Sequence, residues 1–370
     1  MIIGIDGNEA NVDERVGIGE YAFELLYQFE KSQNSNFIFQ IYLKNVPLSH
    51  MPKIREGWSY KVFGPKKMWT RFALPMDLLI QRPKPDVFFT PTHYGPWFSP
   101  VPSAISIMDL SFLHFPGLFN KKDLYQLTNW TSHSVKTAKK IFTISEFSKN
   151  DIIKTYAVPE EQVVVTYPGI KPELNYKNKE LTMDEIQKKY KISKPYILFV
   201  GTLQPRKNIV RLVEAFSKLK KENLELIIIG KKGWQYDEIL EAPKKFEVTE
   251  RVKFLDFVGD EDLPSFYKNA VCFVLPSLYE GFGLPVLEAM RQGCPVITSN
   301  VSSLPEAGGD AAIYVNPTDT LDIATKIEQV VSNQILRKEM VEKGYNQIKK
   351  FSWDKTASNT LKVLEQLVNS

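Results

Sequence analysis

No apolar run in this chain approaches the roughly 18 residues that a membrane-spanning helix needs, so no helical span is expected. Cysteine is scarce. Cys272 and Cys294 are the only two in 370 residues, too few for a disulfide scaffold, and both sit in apolar settings that suit reduced structural thiols. The four histidines, His50, His93, His114 and His133, lack the spacing of a metal-ligand set. Net charge is only +4, too small to indicate a nucleic-acid partner. Low-complexity tracts are missing, as are a basic leader and a cleavage site. A cytoplasmic protein is the expectation, and the glycosylation-like triplets at Asn129 and Asn300 then read as chance matches.

What the chain has in quantity is short apolar runs alternating with helical patterns. IIGID, FIFQIYL, DVFFTPT, SAISIMD, KIFTIS and VVVTYPG read as strands of a first half. YILFVGT, LELIIIG, VKFLDFV, AVCFVLP, CPVITS and AAIYVN read as strands of a second. Near-continuous apolar runs suit parallel strands buried on both faces, and strand–helix alternation implies doubly wound α/β domains. At this length two domains are expected. The polar segment 171–194 reads as their junction, and WDKTASNTLKVLEQLV as a closing amphipathic helix with Leu361, Leu364 and Leu367 on one side. Two such domains would hold a ligand in a cleft at the carboxyl ends of their strands.

Two stretches of the second half carry chemistry. In YILFVGTLQPRKNIVRLVEAF a strand ends at Gly201 and a helix begins near Asn208, leaving Arg206 and Lys207 at the helix start. Cations there oppose the helix dipole, and an anion between them reverses that sign. A phosphate site and a solvated charge pair both fit. The second stretch, EGFGLPVLEAMRQG, places Glu280 before a glycine turn and Glu288 about one turn into a helix. Pro285 suits the first turn and Gly293 the stop. A hydrolytic carboxylate pair would sit about 5–9.5 Å apart, whereas eight helical residues rise about 12 Å. Carboxylates that accept hydrogen bonds from sugar and ribose hydroxyls fit better, with glycine amides facing phosphate between them; a helix-start glutamate and a solvated helical one fit the pattern as well.

EGFGLPVLE, together with VGTLQPRKN, VGDEDLPSFYKNA, GCPVITSNVSSLPEAGGDAAIYVNP and FSW, resembles in order and spacing the retaining glycosyltransferases of family 4. These have the GT-B fold, with two Rossmann-like doubly wound domains facing across a cleft. GIDGNEANVDERVGIGEYAFEL, MDLSFLHFP and FTISEFSKNDI extend a looser likeness through the first half. The resemblance implies an acceptor-side domain over 1–170, a nucleotide-sugar domain over 171–352, and a helix over 353–370 crossing back to the first. It implies that Arg206 and Lys207 hold the donor diphosphate and Glu288 the ribose. Glu280, with Gly281, Phe282, Gly283 and Leu284, would hold the donor sugar. Gly17 and Gly19 would face the diphosphate and acceptor, and base recognition would use backbone near Phe257–Gly259. It further implies transfer with retention, in which the leaving phosphate helps to deprotonate the acceptor, and cations that stabilise the leaving group.

The resemblance departs at Met108, where relatives often carry a histidine that contacts the donor sugar. Asp109 remains for a sugar or acceptor role, and His93 in PTHYGPW is the nearest substitute on the acceptor side. Asp260-Glu261-Asp262 is formally a metal-binding D-x-D but reads as a helix cap before LPSFY, so metal-independent transfer without a cofactor is expected. From Lys53 to Lys84 eight residues are basic and two acidic. Basic side chains beside Trp69, Phe72 and Leu74 suit peripheral contact with the inner membrane face; a solvated loop and helix suit them equally. The expected activity is hexosyl transfer to a glycan or lipid-linked acceptor in surface polysaccharide synthesis, with GDP-mannose preferred over UDP-sugars as donor. The rivals are a sugar-nucleotide epimerase of similar build and an inactive nucleotide-sugar-binding scaffold.

Overall fold

Each apolar run read as a strand forms one in the computed structural model, which describes residues 1–15, 17–32, 36–170, 181–256 and 258–369. The chain divides into two units, Met1–Gly169 with Phe351–Ser370, and Ile170–Lys350.

Unit 1 holds strands β1 (Ile2–Asp6), β2 (Ile38–Leu43), β3 (Trp58–Val62), β4 (Val87–Thr90), β5 (Ser103–Ser106), β6 (Lys140–Thr143) and β7 (Val163–Val165). They form one parallel sheet in the order β3-β2-β1-β4-β5-β6-β7. Its helices are α1 (Ile18–Lys31), α2 (Ala73–Ile80), α3 (Ser111–His114), α4 (Lys121–Thr137) and α5 (Glu146–Tyr156). The closing helix of the chain, Trp353–Asn369, also belongs here. Its Trp353, Ala357, Leu361, Leu364 and Leu367 bury against a core that includes Ile3, Ile5, Leu25 and Phe29.

Unit 2 holds β8 (Tyr196–Val200), β9 (Glu225–Ile229), β10 (Val252–Leu255), β11 (Cys272–Leu275), β12 (Val296–Ser299) and β13 (Ala312–Val315). They pair in parallel in the order β10-β9-β8-β11-β12-β13. The helices are α6 (Met183–Tyr190), α7 (Ile209–Ser217), α8 (Asp237–Lys245), α9 (Leu263–Asn269), α10 (Leu284–Arg291), α11 (Leu304–Gly308), α12 (Thr320–Ser332) and α13 (Gln334–Ile348); the closing helix is α14. Cys272 and Cys294 are buried free thiols, and burial raises both above the usual thiol range. No described helix is long and apolar enough to cross a membrane.

Two local expectations are corrected. The basic segment 53–84, read as a loop and helix, also contains the edge strand β3. Within that segment Trp69 and Leu74 are core residues. Their neighbours there include Tyr42 and Phe88, so neither faces solvent. The junction 171–194 contains α6, started by a capping box in which Thr182 and Glu185 exchange side-chain and backbone bonds; its residues 171–180 lie outside those described.

Where β8 and β9 end, the backbones nearly touch. A Cβ at Gly230 would lie 2.0 Å from the Gly201 carbonyl oxygen. Because backbone has to move, Gly230→Ala is expected to cost about 1–3 kcal/mol, read as a fall in the urea midpoint of the full chain.

Candidate functional site

In both sheets the strand order reverses beside the first strand, between β1 and β4 and between β8 and β11. Loops leaving the carboxyl ends of such strands are where open α/β sheets hold ligands. In unit 2 the loop after β8 carries Arg206 and Lys207, and the loop after β11 carries Glu280.

The fold brings these three together. Lys207 Nζ donates to Glu280 Oε1 at 2.6 Å and Arg206 Nη1 donates to Oε2 at 2.9 Å. Ser277 Oγ donates to Oε1 at 2.7 Å, and Arg206 Nη1 also donates to the Tyr279 carbonyl. The Arg206, Lys207 and Glu280 side chains are 15, 11 and 9% exposed. Burial pushes the Glu280 carboxyl up. Lys207 and Arg206, with hydrogen bonds from Lys207 and Ser277, outweigh it and hold the group down at about 2.

The loops are stitched into place by backbone. Pro205–Lys207 forms a 3-10 turn ended by Asn208, which takes the left-handed conformation at φ 60°; α7 follows. The cations thus stand one turn ahead of the helix, not within its first turn. Asn208 Nδ2 donates to the carbonyls of Pro276 at 2.9 Å and Pro317 at 2.7 Å. Leu278 N donates to the Arg206 carbonyl at 2.9 Å. Glu280 is anchored from its other side, its amide donating to Ser302 Oγ at 3.0 Å and its carbonyl accepting from Ser303 Oγ at 2.8 Å.

The glycine turn follows. Gly281 and Phe282 are buried. Gly283 adopts φ 104° ahead of α10, which starts at Leu284 with Pro285 in its first turn, and a Cβ at Gly283 would lie 2.8 Å from Leu304 Cδ2. Gly293 ends this helix at φ 67°. Glu288 Oε2 accepts from Tyr267 Oη at 3.0 Å. Tyr267 is buried on α9. Its burial, then the Glu288 charge, raise the phenol well above its ordinary range, so it stays a donor that fixes the carboxylate.

Unit 1 places its own predicted residues near the same edge of its sheet. Gly17 takes φ 47° just before α1. A Cβ at Gly19 would meet the Glu9 carbonyl oxygen at 2.9 Å, so the helix start packs closely on that loop. His93 follows β4, and its Nδ1 is buried without a hydrogen-bond partner among the described residues. Burial lowers the imidazole to about 4, against the opposing charge of Asp109; His93 is neutral at physiological pH. Asp109 Oδ1 accepts from Ser111 N at 2.8 Å, at the start of α3. Met108 packs partly buried against the unit 1 core.

The Asp260-Glu261-Asp262 reading is corrected in part. Asp262 stands at the N-cap position of α9 but makes no cap hydrogen bond. Its Oδ2 accepts from Lys189 Nζ and Tyr190 Oη, both at 2.5 Å, tying α6 to α9. Asp260 and Glu261 are exposed. Of the base-recognition stretch, Phe257 lies outside the described residues. The sequence reading missed Ser277, Ser302, Ser303, Asn208 and Tyr267. Ser277 lies three residues before Glu280 in PSLYEG, while Ser302 and Ser303 lie 22 and 23 residues after it in NVSSLPE, and nothing local distinguishes a hydroxyl that fixes this glutamate from a solvated one.

Solved structures share this architecture over nearly the whole chain. Sucrose-phosphate synthase from Thermosynechococcus elongatus aligns with TM-score 0.74 at 16% identity, covering 99% of this chain and 98% of that one. Anabaena Alr3699/HepE in complex with UDP-glucose aligns with TM-score 0.72 at 15% identity, covering 99% of each. The two Rossmann-like parallel domains are those of the GT-B class of glycosyltransferases. Residues 182–347 match the family model for glycosyl transferases group 1, and residues 18–174 that for Glycosyltransferase Family 4. The O-antigen chain mannosyltransferase B of Escherichia coli is 34% identical over 262 residues, 70% of this chain and 69% of that one. The chain belongs to the family 4 glycosyltransferases, with mannosyltransferase-type relatives.

Proposed function

We propose that this glycosyltransferase moves a mannosyl residue, with retention and without a metal, from GDP-mannose to a glycan or lipid-linked acceptor in surface polysaccharide synthesis. The observation that carries the reading is the Arg206–Lys207–Glu280 cluster at the strand-order reversal of unit 2, one glycine turn away from Glu288. The two cations stabilise charge developing on the leaving diphosphate, the role that most lowers such a barrier. Glu288, oriented by Tyr267, takes the ribose hydroxyls.

Glu280 has a narrower part toward the sugar than two free carboxylate oxygens would allow. A carboxylate offers about four acceptor positions, and Lys207, Ser277 and Arg206 occupy three. About one remains, on Oε2, for a donor-sugar hydroxyl. Mannose as the sugar and a growing glycan as acceptor are supported by the E. coli relative's own activity on O-antigen chains. UDP-sugars are the alternative donor. His93 and Asp109 serve the acceptor side from unit 1.

Calorimetric titration of GDP, UDP, ADP and dTDP in excess EDTA, on wild type and Glu288→Ala, tests this. GDP is expected to bind wild type, and the variant to weaken it by more than about tenfold, roughly 1.4 kcal/mol. Tight UDP binding instead would overturn the donor. Failure of every nucleotide and intact sugar nucleotide would leave the inactive-scaffold reading, and binding restored only by Mg²⁺ would overturn metal independence.

A further inference from the structure

Helix α2 is apolar on both sides. Ala73, Leu74 and Leu78 pack into the core with Trp69 and Phe88. The opposite side carries Met76, Leu79 and Ile80, at the i, i+3 and i+4 spacing of one helical stripe, and Phe72 stands just ahead of them at the N-cap position. Phe72, Met76, Leu79 and Ile80 are 61, 45, 43 and 63% exposed. A helix on a globular surface normally turns charge to that side. Here Asp77, the single acidic residue between Lys66 and Lys84, is partly buried, with its Oδ2 wholly so.

The surroundings of the stripe are aromatic and of one sign. Lys66, Lys67 and Arg82 are exposed at its two ends. Trp97 and Phe98 are exposed on an adjoining loop, fastened by the Trp97 amide to the Thr70 carbonyl at 2.9 Å. The Arg71 guanidinium lies 4.2 Å from the Trp97 ring centre and 4.7 Å from that of Trp130, and Trp97 is stacked on His133 at 3.6 Å. Arg71 Nε is buried with no hydrogen-bond partner among the described residues. Its cation is therefore held in place by rings.

We infer that this face docks unit 1 onto an anionic bilayer surface. Phe72, Met76, Leu79, Ile80, Trp97 and Phe98 enter the boundary between headgroups and acyl chains, and the flanking cations meet lipid phosphates, for which guanidinium is well shaped. A second copy fits poorly, because a two-fold contact through this face sets its cations against themselves. The surface differs from the one expected from sequence: of Trp69, Phe72 and Leu74, only Phe72 belongs to it. The inference stands on unit 1 and does not depend on the donor reading.

Co-sedimentation of the full chain with vesicles tests it, using phosphatidylcholine alone and phosphatidylcholine with roughly one-third phosphatidylglycerol. Wild type is expected to bind the anionic vesicles at least about tenfold more tightly, and to release as salt is raised. The triple variant Met76→Ser, Leu79→Ser, Ile80→Ser and the double variant Lys66→Glu, Lys67→Glu should each lose at least about tenfold in binding. All these side chains are exposed, so thermal unfolding should be unchanged. Absence of wild-type binding to anionic vesicles overturns the inference, as does binding that both variants retain. A wild type that self-associates in sedimentation velocity, where the triple variant is monomeric and vesicles are ignored, gives the stripe to a second copy and also overturns it.

Discussion

Glu280→Ala is expected to destabilise the chain by about 3–5 kcal/mol, because it strands two poorly exposed cations without their counter-ion. The carboxyl's position at about 2, against an ordinary 4.5, corresponds to a figure of the same order, roughly 3 kcal/mol. The sign follows from linkage. A carboxyl depressed in the folded state contributes its full stabilisation above its unfolded value of about 4.5, and loses it as pH falls from there toward 2. Wild type and Glu280→Ala should therefore differ most in urea unfolding near neutral pH and converge at the acid end of that window. Adding Lys207→Met to Glu280→Ala should recover more than about 1 kcal/mol, since one stranded charge is removed. Equal stability of wild type and Glu280→Ala at neutral pH would show that the cluster is solvated and contributes nothing to the fold.

The fold was legible for a physical reason. Parallel strands buried on both faces have no polar side, so β8 (YILFV) and β9 (ELIII) read as nearly unbroken apolar runs. β3 (WSYKV) escaped because it is an edge strand, with only Trp58 of its five residues buried, and its composition is that of the basic segment around it. α6 was legible in principle through Thr182 and Glu185, three apart, but lay inside a charged junction. The chemistry of the site could be read one residue at a time. The pairing could not: Lys207 and Glu280 are 73 residues apart, with β9 and β10 between them in sequence and neither between them in the sheet. Only the neighbouring of β8 and β11 joins their loops, and it changes what Glu280 does, from a carboxylate free for sugar to one largely spent on two cations. The face of α2 failed differently. A helix apolar all round gives no amphipathic signal, so nothing local said that Leu74 points in and Met76 out.

Lys207→Met should lower kcat/KM by about 10²–10³, the usual loss for removing one group aimed at developing charge, and should change the pH profile as well. In wild type Glu280 is ionised throughout any practical pH range, so it contributes no acid limb. Lys207 is the foremost cause holding the carboxyl down against burial. Without it, burial is opposed by Arg206 and Ser277, and the carboxyl rises from about 2 toward or above its ordinary range. Once protonated, Glu280 no longer holds Arg206 by charge, so diphosphate stabilisation fails with it. The variant's kcat/KM should therefore acquire an acid limb, falling as pH is lowered through the raised carboxyl range, where wild type stays flat. Glu280→Gln is the control: it mimics the protonated state and should be insensitive to pH there whether or not Lys207 is present. Arg206→Lys keeps the charge but not the planar fork, and should lose less than Lys207→Met without acquiring an acid limb, because the strongest cation on Glu280 is still in place. A loss in Lys207→Met that is uniform from about pH 4 to 8 would separate the two functions. Lys207 would then act on the diphosphate alone, and Glu280 would owe its ionisation to Arg206.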